Sequence, residues 1–98
     1  MATYVATIKF TAQGMSAIRD TTRRAATFKS AAKKLGVKVT DIYWTLGAFD
    51  GLLIVDAPDD ETATALMLQL AALGNVSTTT ARAFNAAEMD QVLAKLGT

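Results

Sequence analysis

Residues 37–57 read VKVTDIYWTLGAFDGLLIVDA, and this stretch decides the fold. From Val37 to Leu46 it is dense in β-branched and aromatic side chains (Val37, Val39, Thr40, Ile42, Tyr43, Trp44 and Thr45), the types that fill strands. Gly47 to Asp50 reads as a turn, and Gly51 to Ala57 as a second strand. Two strands joined by a short glycine-containing turn make a hairpin. The second strand is apolar on both alternating faces, Leu52 and Ile54 on one, Leu53 and Val55 on the other. That pattern predicts a mid-sheet position with both sides covered.

Working outward toward the C-terminus, Pro58 to Glu61 opens a helix. Asp59 is placed to cap it, and Asp60 and Glu61 lie in the first turn, where the helix dipole favours negative charge. Ala63, Leu66, Met67, Leu70 and Leu73 form its buried stripe, and Leu68, Ala71 and Ala72 widen the apolar arc. Gly74 and Asn75 end it. Val76 to Phe84 is a last strand, made polar by Ser77, Thr78, Thr79 and Thr80. Asn85 and Glu88 then have capping-box spacing, followed by Met89, Val92, Leu93 and Leu96 at i, i+3, i+4 and i+7. A short amphipathic C-terminal helix is predicted there.

Toward the N-terminus, Thr3 to Phe10 alternates Tyr4, Ala6, Ile8 and Phe10 against Val5, Thr7 and Lys9, the pattern of a half-buried strand. Thr11 to Asp20 reads as a turn or short irregular helix. From Thr22 to Leu35 the period becomes helical, with Ala25, Phe28, Ala32 and Leu35 on one face. Thr21 or Thr22 is expected to cap this helix and Gly36 to end it. The order strand, helix, strand, strand, helix, strand, helix predicts an α+β, ferredoxin-like βαββαβ sandwich with an extra C-terminal helix. Its first and third strands should be central. Helices cover one face of such a sheet, so the other must meet solvent or a partner.

The whole chain, 98 residues, suits one domain spanning 1–98. It is 51% apolar and only 19% charged, against a usual charged share of about a quarter. Nineteen of the apolar residues are Ala. His and Cys are both absent, which excludes Ser-His-Asp and Cys-His catalysis, disulfides, ordinary zinc sites, iron–sulfur clusters and a His-ligated haem. No cofactor and no metal are expected. Absence of Cys fits a reducing cytoplasm, the expected location, and neither a secretory leader nor a membrane span is read. Charge is lopsided: residues 1–40 hold eight Lys/Arg and one Asp, residues 41–98 two Lys/Arg and eight Asp/Glu.

Each candidate site has a structural reading beside its functional one. Asp56, Asp59, Asp60 and Glu61 can hold a hard cation or simply cap a helix, and their placement beside Pro58 fits capping. Asp50 can hold the hairpin turn through backbone N–H groups, or act as a base or ligand-orienting carboxylate. Tyr43 and Trp44 are adjacent on a strand and so point to opposite faces, where each packs or lines a pocket; periodicity does not say which takes which face. Lys9 and Arg82 lie on expected neighbouring strands. With Thr7, Thr78 and Thr80 they can form a patch for an anionic ligand, or pair with Asp41 or Asp50. Lys9 should sit on the open face. The basic helix (Arg23, Arg24, Lys29, Lys33, Lys34) has no interleaved aromatics, so a solvated face is expected and a nucleic-acid partner is not.

The segments Asp41-Ile-Tyr-Trp-Thr-Leu-Gly47-Ala-Phe-Asp50, Asp56-Ala-Pro58-Asp59-Asp60-Glu61, Leu73-Gly74-Asn75-Val76 and Arg82-Ala-Phe84 together resemble the bacterial GYD-domain family, named for a Gly, Tyr, Asp motif at this turn. The resemblance covers essentially the whole chain. It implies a ferredoxin-like member of the dimeric α/β-barrel group, in which two sheets pack by their open faces, and it brings no assigned general activity. The motif Tyr is Phe49 here, so no phenol is available at that position. The function expected is a homo-oligomeric assembly or small-ligand-binding module without a catalytic constellation, its partner a second copy of itself, alone or within a larger complex. The alternative is a cofactor-independent oxygenase or isomerase working in a hydrophobic pocket between helices and sheet, with Trp44, Tyr43 and Asp50 as lining and polar groups.

Overall fold

A computed structural model describes residues 1–97. The elements run β1 (Ala2–Phe10), α1 (Ala12–Ser16), a 3-10 turn (Ile18–Asp20), α2 (Thr21–Lys34), β2 (Lys38–Trp44), β3 (Gly51–Ala57), α3 (Asp60–Ala72), β4 (Val76–Ala83) and α4 (Ala86–Ala94). The four strands form one antiparallel sheet in the order β2-β3-β1-β4. This is the ferredoxin-like α+β arrangement, with the first and third strands central, and the sheet does not close into a barrel.

The register divides the side chains between two faces. Tyr4 lies opposite Val55 and Arg82, Ala6 opposite Leu53 and Thr80, and Ile8 opposite Gly51 and Thr78. These, with Val39, Ile42 and Trp44, make the face under the helices. The core is buried there: Tyr4, Ala6, Leu53, Val55 and Ala57 from the sheet, Ala32 from α2, and Ala63, Leu66 and Met67 from α3. Phe28 and Leu35 close the α2 side, and Gly36, just past α2, has φ +77°. Asp59 accepts the Thr62 N–H at 2.7 Å and caps α3 as expected.

Three expectations need correction. β3 is central, but its burial alternates strictly, so it is covered on one face and only half-covered on the other, where Leu52 and Ile54 lie. Apolarity on both faces therefore does not mean burial on both faces here. Neither Thr21 nor Thr22 caps α2. The helix begins at Thr21, Asp20 precedes it without a side-chain cap bond, and the Thr21 hydroxyl instead accepts the indole N–H of Trp44. The α3 stripe is buried only along its first half. Leu70 is half-buried and Leu73 is 64% exposed, because α3 ends beside a cavity rather than against another element.

The second face carries Val5, Thr7 and Lys9 of β1, Leu52, Ile54 and Asp56 of β3, Asp41 and Tyr43 of β2, and Thr79 and Ala81 of β4. No helix covers it. Val5, Leu52 and Ile54 form an apolar centre, with Asp56 and Lys38 at one rim and Lys9 at the other.

Candidate functional site

The core fills the half of the sandwich nearest Ala57. Toward the opposite end the floor thins, because Gly51 occupies the central strand and Ala25 and Ala31 face it from α2. Small side chains on both layers leave space that neighbours do not reach. The result is a cavity of about 430 Å³. Ile8, Phe10, Ile42 and Leu53 line its floor, Phe28 one wall, and Leu66, Leu70 and Leu73 the other. Its size falls in the range of about 300–1,000 Å³ usual for small-molecule sites, and its lining is dominated by apolar groups as theirs is. Gly51 stands where a side chain would fit only tightly. A Cβ there would come within 3.2 Å of the Tyr43 carbonyl oxygen and 3.5 Å of Ile8 Cβ, and would push side chain into the floor.

Asp50 sits at the edge of this cavity and ties three strands together. Its N–H donates to Ile8 O at 2.7 Å, its carbonyl accepts the Thr45 N–H at 2.9 Å, and its Oδ2 accepts the Phe10 N–H at 2.9 Å. The Thr45 hydroxyl closes the turn onto Phe49 O at 2.7 Å. Asp50 thus holds the turn as the sequence reading allows. It does so by reaching across to β1, and Oδ1 is left without a protein hydrogen-bond partner among the described residues. Asp50 is the only carboxylate in the lining among the described residues.

Trp44 and Tyr43 part as adjacent strand residues must. Trp44 faces the helices, 46% exposed at the cavity mouth, and its Nε1–H donates to Thr21 Oγ1 at 3.0 Å. That bond pins the ring between β2 and the start of α2. Tyr43 turns its ring to the open sheet face, 53% exposed, with its hydroxyl 3.3 Å from Asp41 Oδ1. Tyr43 also borders the cavity region.

Lys9 and Arg82 are not brought together. Lys9 pairs with Ser77 on the open face, as expected, whereas Arg82 pairs with Tyr4 on the helix-covered face at the other end of the sheet. No two-cation patch exists. Arg82 instead stacks its guanidinium 4.5 Å from the Phe84 ring centroid and 5.8 Å from that of Tyr4, and reaches Glu88 at 3.4 Å. It fastens the start of α4. Lys9 makes no ion pair among the described residues.

The acidic cluster also disperses into structure. Asp56 accepts the Thr3 hydroxyl at 2.7 Å, Asp59 caps α3, and Asp60 accepts the Tyr4 hydroxyl. The Thr62 hydrogen bonds hold the Asp59 carboxyl below its ordinary value, and the Asp60 hydrogen bond pushes the Tyr4 phenol up. No group of three or more metal-ligating side chains converges among the described residues. No helix among them is long and apolar enough to cross a membrane.

Several cavity residues escaped the sequence reading. Arg24 reads as part of a solvated basic face, yet its guanidinium donates to Ala17 O at 2.7 Å and Gly14 O at 3.3 Å and forms part of the lining. Phe10 and Phe28 read as core. The one signal available was the excess of apolar residues at the end of α3, Leu70 and Leu73, beyond what one sheet end can bury. Chemically, the lining offers an apolar volume, one half-engaged carboxylate and arginines at the rim. It offers no thiol, no imidazole and, with Phe49 in the turn, no phenol there.

The GYD domain family model matches residues 4–93, nearly the whole chain, and the protein belongs to that family. No curated protein and no solved structure matches it significantly.

Proposed function

We propose that this GYD-domain chain is a small-molecule-binding subunit that works as a homo-oligomer. Its ligand occupies the cavity between α2, α3 and the sheet, and the open sheet faces of two copies pack together. The observation that carries the reading is the apolar cavity of about 430 Å³ with Asp50 at its edge. An apolar lining selects a compact hydrophobic body, and a carboxylate oxygen without a protein partner selects a hydrogen-bond donor on it. The ligand class is therefore a small apolar amine, phenol or amide whose N–H or O–H meets that oxygen. Oligomerisation is supported by Val5, Leu52 and Ile54, an apolar centre rimmed by Lys9, Lys38 and Asp56, the anatomy of an interface.

Thermal denaturation with a panel of apolar amines, phenols and carboxylates tests the first part. Donor-bearing compounds should raise Tm, by roughly 10 °C at about 100 times Kd for a domain of this size. Ala25→Phe, which fills the cavity, should remove that response while leaving circular dichroism native. A panel without effect, or an Ala25→Phe variant that responds like the parent, overturns ligand binding. Light scattering tests the second part: the chain should be a dimer or larger at micromolar concentration and Ile54→Glu a monomer. A monomeric parent overturns the assembly.

A further inference from the structure

The sheet has two outer strands, and their free edges differ. β2 is interrupted by a bulge between Val39 and Asp41 and carries charge at Lys38 and Asp41, devices that keep an edge from pairing. β4 has eight residues and pairs with β1 from Val76 to Ala83 without a bulge. Its one charge, Arg82, is spent on Glu88 and the Phe84 ring. Thr79, Thr80 and Ala81 are exposed. The alternation of the ladder fixes which backbone groups point outward. Thr11 N–H donates to Asn75 O at 3.1 Å, one step past the Phe10–Val76 pair. Hydrogen-bonded pairs recur at every second residue, so Ser77, Thr79 and Ala81 bond to β1. The N–H and C=O groups of Val76, Thr78, Thr80 and Arg82 face away from it, with no protein partner among the described residues.

We propose that β4 pairs with the β4 of a second copy, antiparallel about a twofold axis normal to the sheet at Thr79, joining two four-stranded sheets into one. This contact is independent of the open-face contact and of ligand binding. Register supports it. Centred on Thr79, the pairing sets Thr78 against Thr80, Ser77 against Ala81 and Val76 against Arg82. The outward backbone groups then meet each other, threonine faces threonine, and no like charges are opposed. α3 supports it separately. Leu66, Leu70 and Leu73 turn to the cavity, while Thr64, Leu68 and Ala71 share the opposite side and are exposed, Leu68 at 66%. α3 packs against β4. Two helices over four strands set α3 about half a strand spacing inside β4, so strands about 4.8 Å apart bring the two α3 helices to roughly 10 Å, the usual distance of packed helices. The levels agree as well. Tyr4, opposite Arg82, bonds Asp60. The run of about 10 Å from Arg82 back to Thr79 spans about seven helix residues, which reaches the turn of Leu68. Leu68 of each copy then meets the small Thr64 and Ala71 of the other near the axis. Two copies close the contact, and their helices stay on one side of the joined sheet. A strand edge and one helix face fall below the roughly 1,200 Å² of a standard interface, so this pair forms at higher concentration than the open-face contact.

The chain has no Cys, so an engineered thiol at the axis reports the pairing. The thiols are placed in an Ile54→Glu background, which removes the open-face contact. Thr79→Cys/Ile54→Glu, oxidised at near-millimolar concentration, should give a covalent dimer. Thr79 meets its own copy as a non-hydrogen-bonded pair, where Cα atoms about 4.5 Å apart admit a disulfide. Ala81→Cys/Ile54→Glu holds its thiols about 14 Å apart, four residues of strand, and should give little. No dimer from the first, or equal yields from both, overturns the pairing. Amide hydrogen exchange of the unsubstituted chain reads the same contact without a variant. Between micromolar and near-millimolar protein, exchange at the Thr78 and Thr80 amides should slow several-fold, while Thr79, already bonded to β1, changes less. Unchanged exchange at Thr78 and Thr80 overturns the proposal. Slowing shared with the outer edge of β2 also overturns it, since β4 would then pair with β2 of the second copy.

Discussion

Asp50 shows how one side chain serves both fold and site. Its Oδ2 takes the Phe10 N–H, which would otherwise be left unpaired at the end of β1. Asp50→Ala should therefore cost about 1–3 kcal/mol in urea denaturation, the range for stranding a donor, while Asp50→Asn keeps an acceptor and should cost less. Gly14 makes a sharper prediction. A Cβ there would sit 2.0 Å from Asn75 O, against rigid backbone, so Gly14→Ala should destabilise by about 2–3 kcal/mol through overpacking, read as a fall in Tm. At this scale the sequence was legible in part. That Tyr43 and Trp44 face opposite ways follows from strand geometry, but which faces the helices depends on a bulge between Val39 and Asp41, which resets the alternation. Arg82 was misplaced for a related reason. The Ser/Thr run of β4 carries no apolar phase, so nothing in the sequence says which of its faces is covered.

At the scale of elements, strands and helices were legible wherever a periodic apolar face met its own core, as in β1, α2 and the first half of α3. They were also legible at caps, where Asp59 and Asn85 make the bonds their spacing implies. Cap chemistry predicts a pH response. The Asn85 N–H, then Arg82, hold the Glu88 carboxyl below its ordinary value, as Thr62 does for Asp59. A carboxyl with a depressed folded pKa contributes stability that is complete above its unfolded pKa and is lost as pH falls through the folded value. Helicity followed by circular dichroism should therefore drop in the acid range below the ordinary carboxylate values, and less so in Glu88→Gln. Asn85→Ala should cost about 1 kcal/mol, the usual loss for such a cap. Core and α4 should differ plainly. Leu66→Ala, at a fully buried position, should cost about 2–5 kcal/mol, whereas Leu93→Ala should leave the folding of the single chain nearly unchanged.

For the molecule as a whole, the composition held a message that only the structure locates. A short chain with 51% apolar residues buries a small core, leaves the cavity mouth at Trp44 and Leu73 and the α4 stripe exposed, and leaves the Val5–Leu52–Ile54 centre of the open sheet half-buried. The excess was visible in the sequence. Its division among the open sheet face, the cavity and the α4 stripe was not, since that depends on where α2 and α3 separate over Gly51. The central claim is that the cavity binds a small apolar donor against Asp50. Trp44 is the only Trp, so its indole N–H gives a single, unambiguous nitrogen–proton resonance at the cavity mouth. The most direct test is a titration with 4-propylaniline, an apolar ring bearing an N–H donor, followed at the Trp44 indole and the Phe10 and Gly51 amides. The account predicts saturable shifts at all three, with Phe10 reporting the carboxylate of Asp50. Resonances that stay fixed at millimolar compound, or shifts confined to the open sheet face around Leu52 and Ile54, would contradict it.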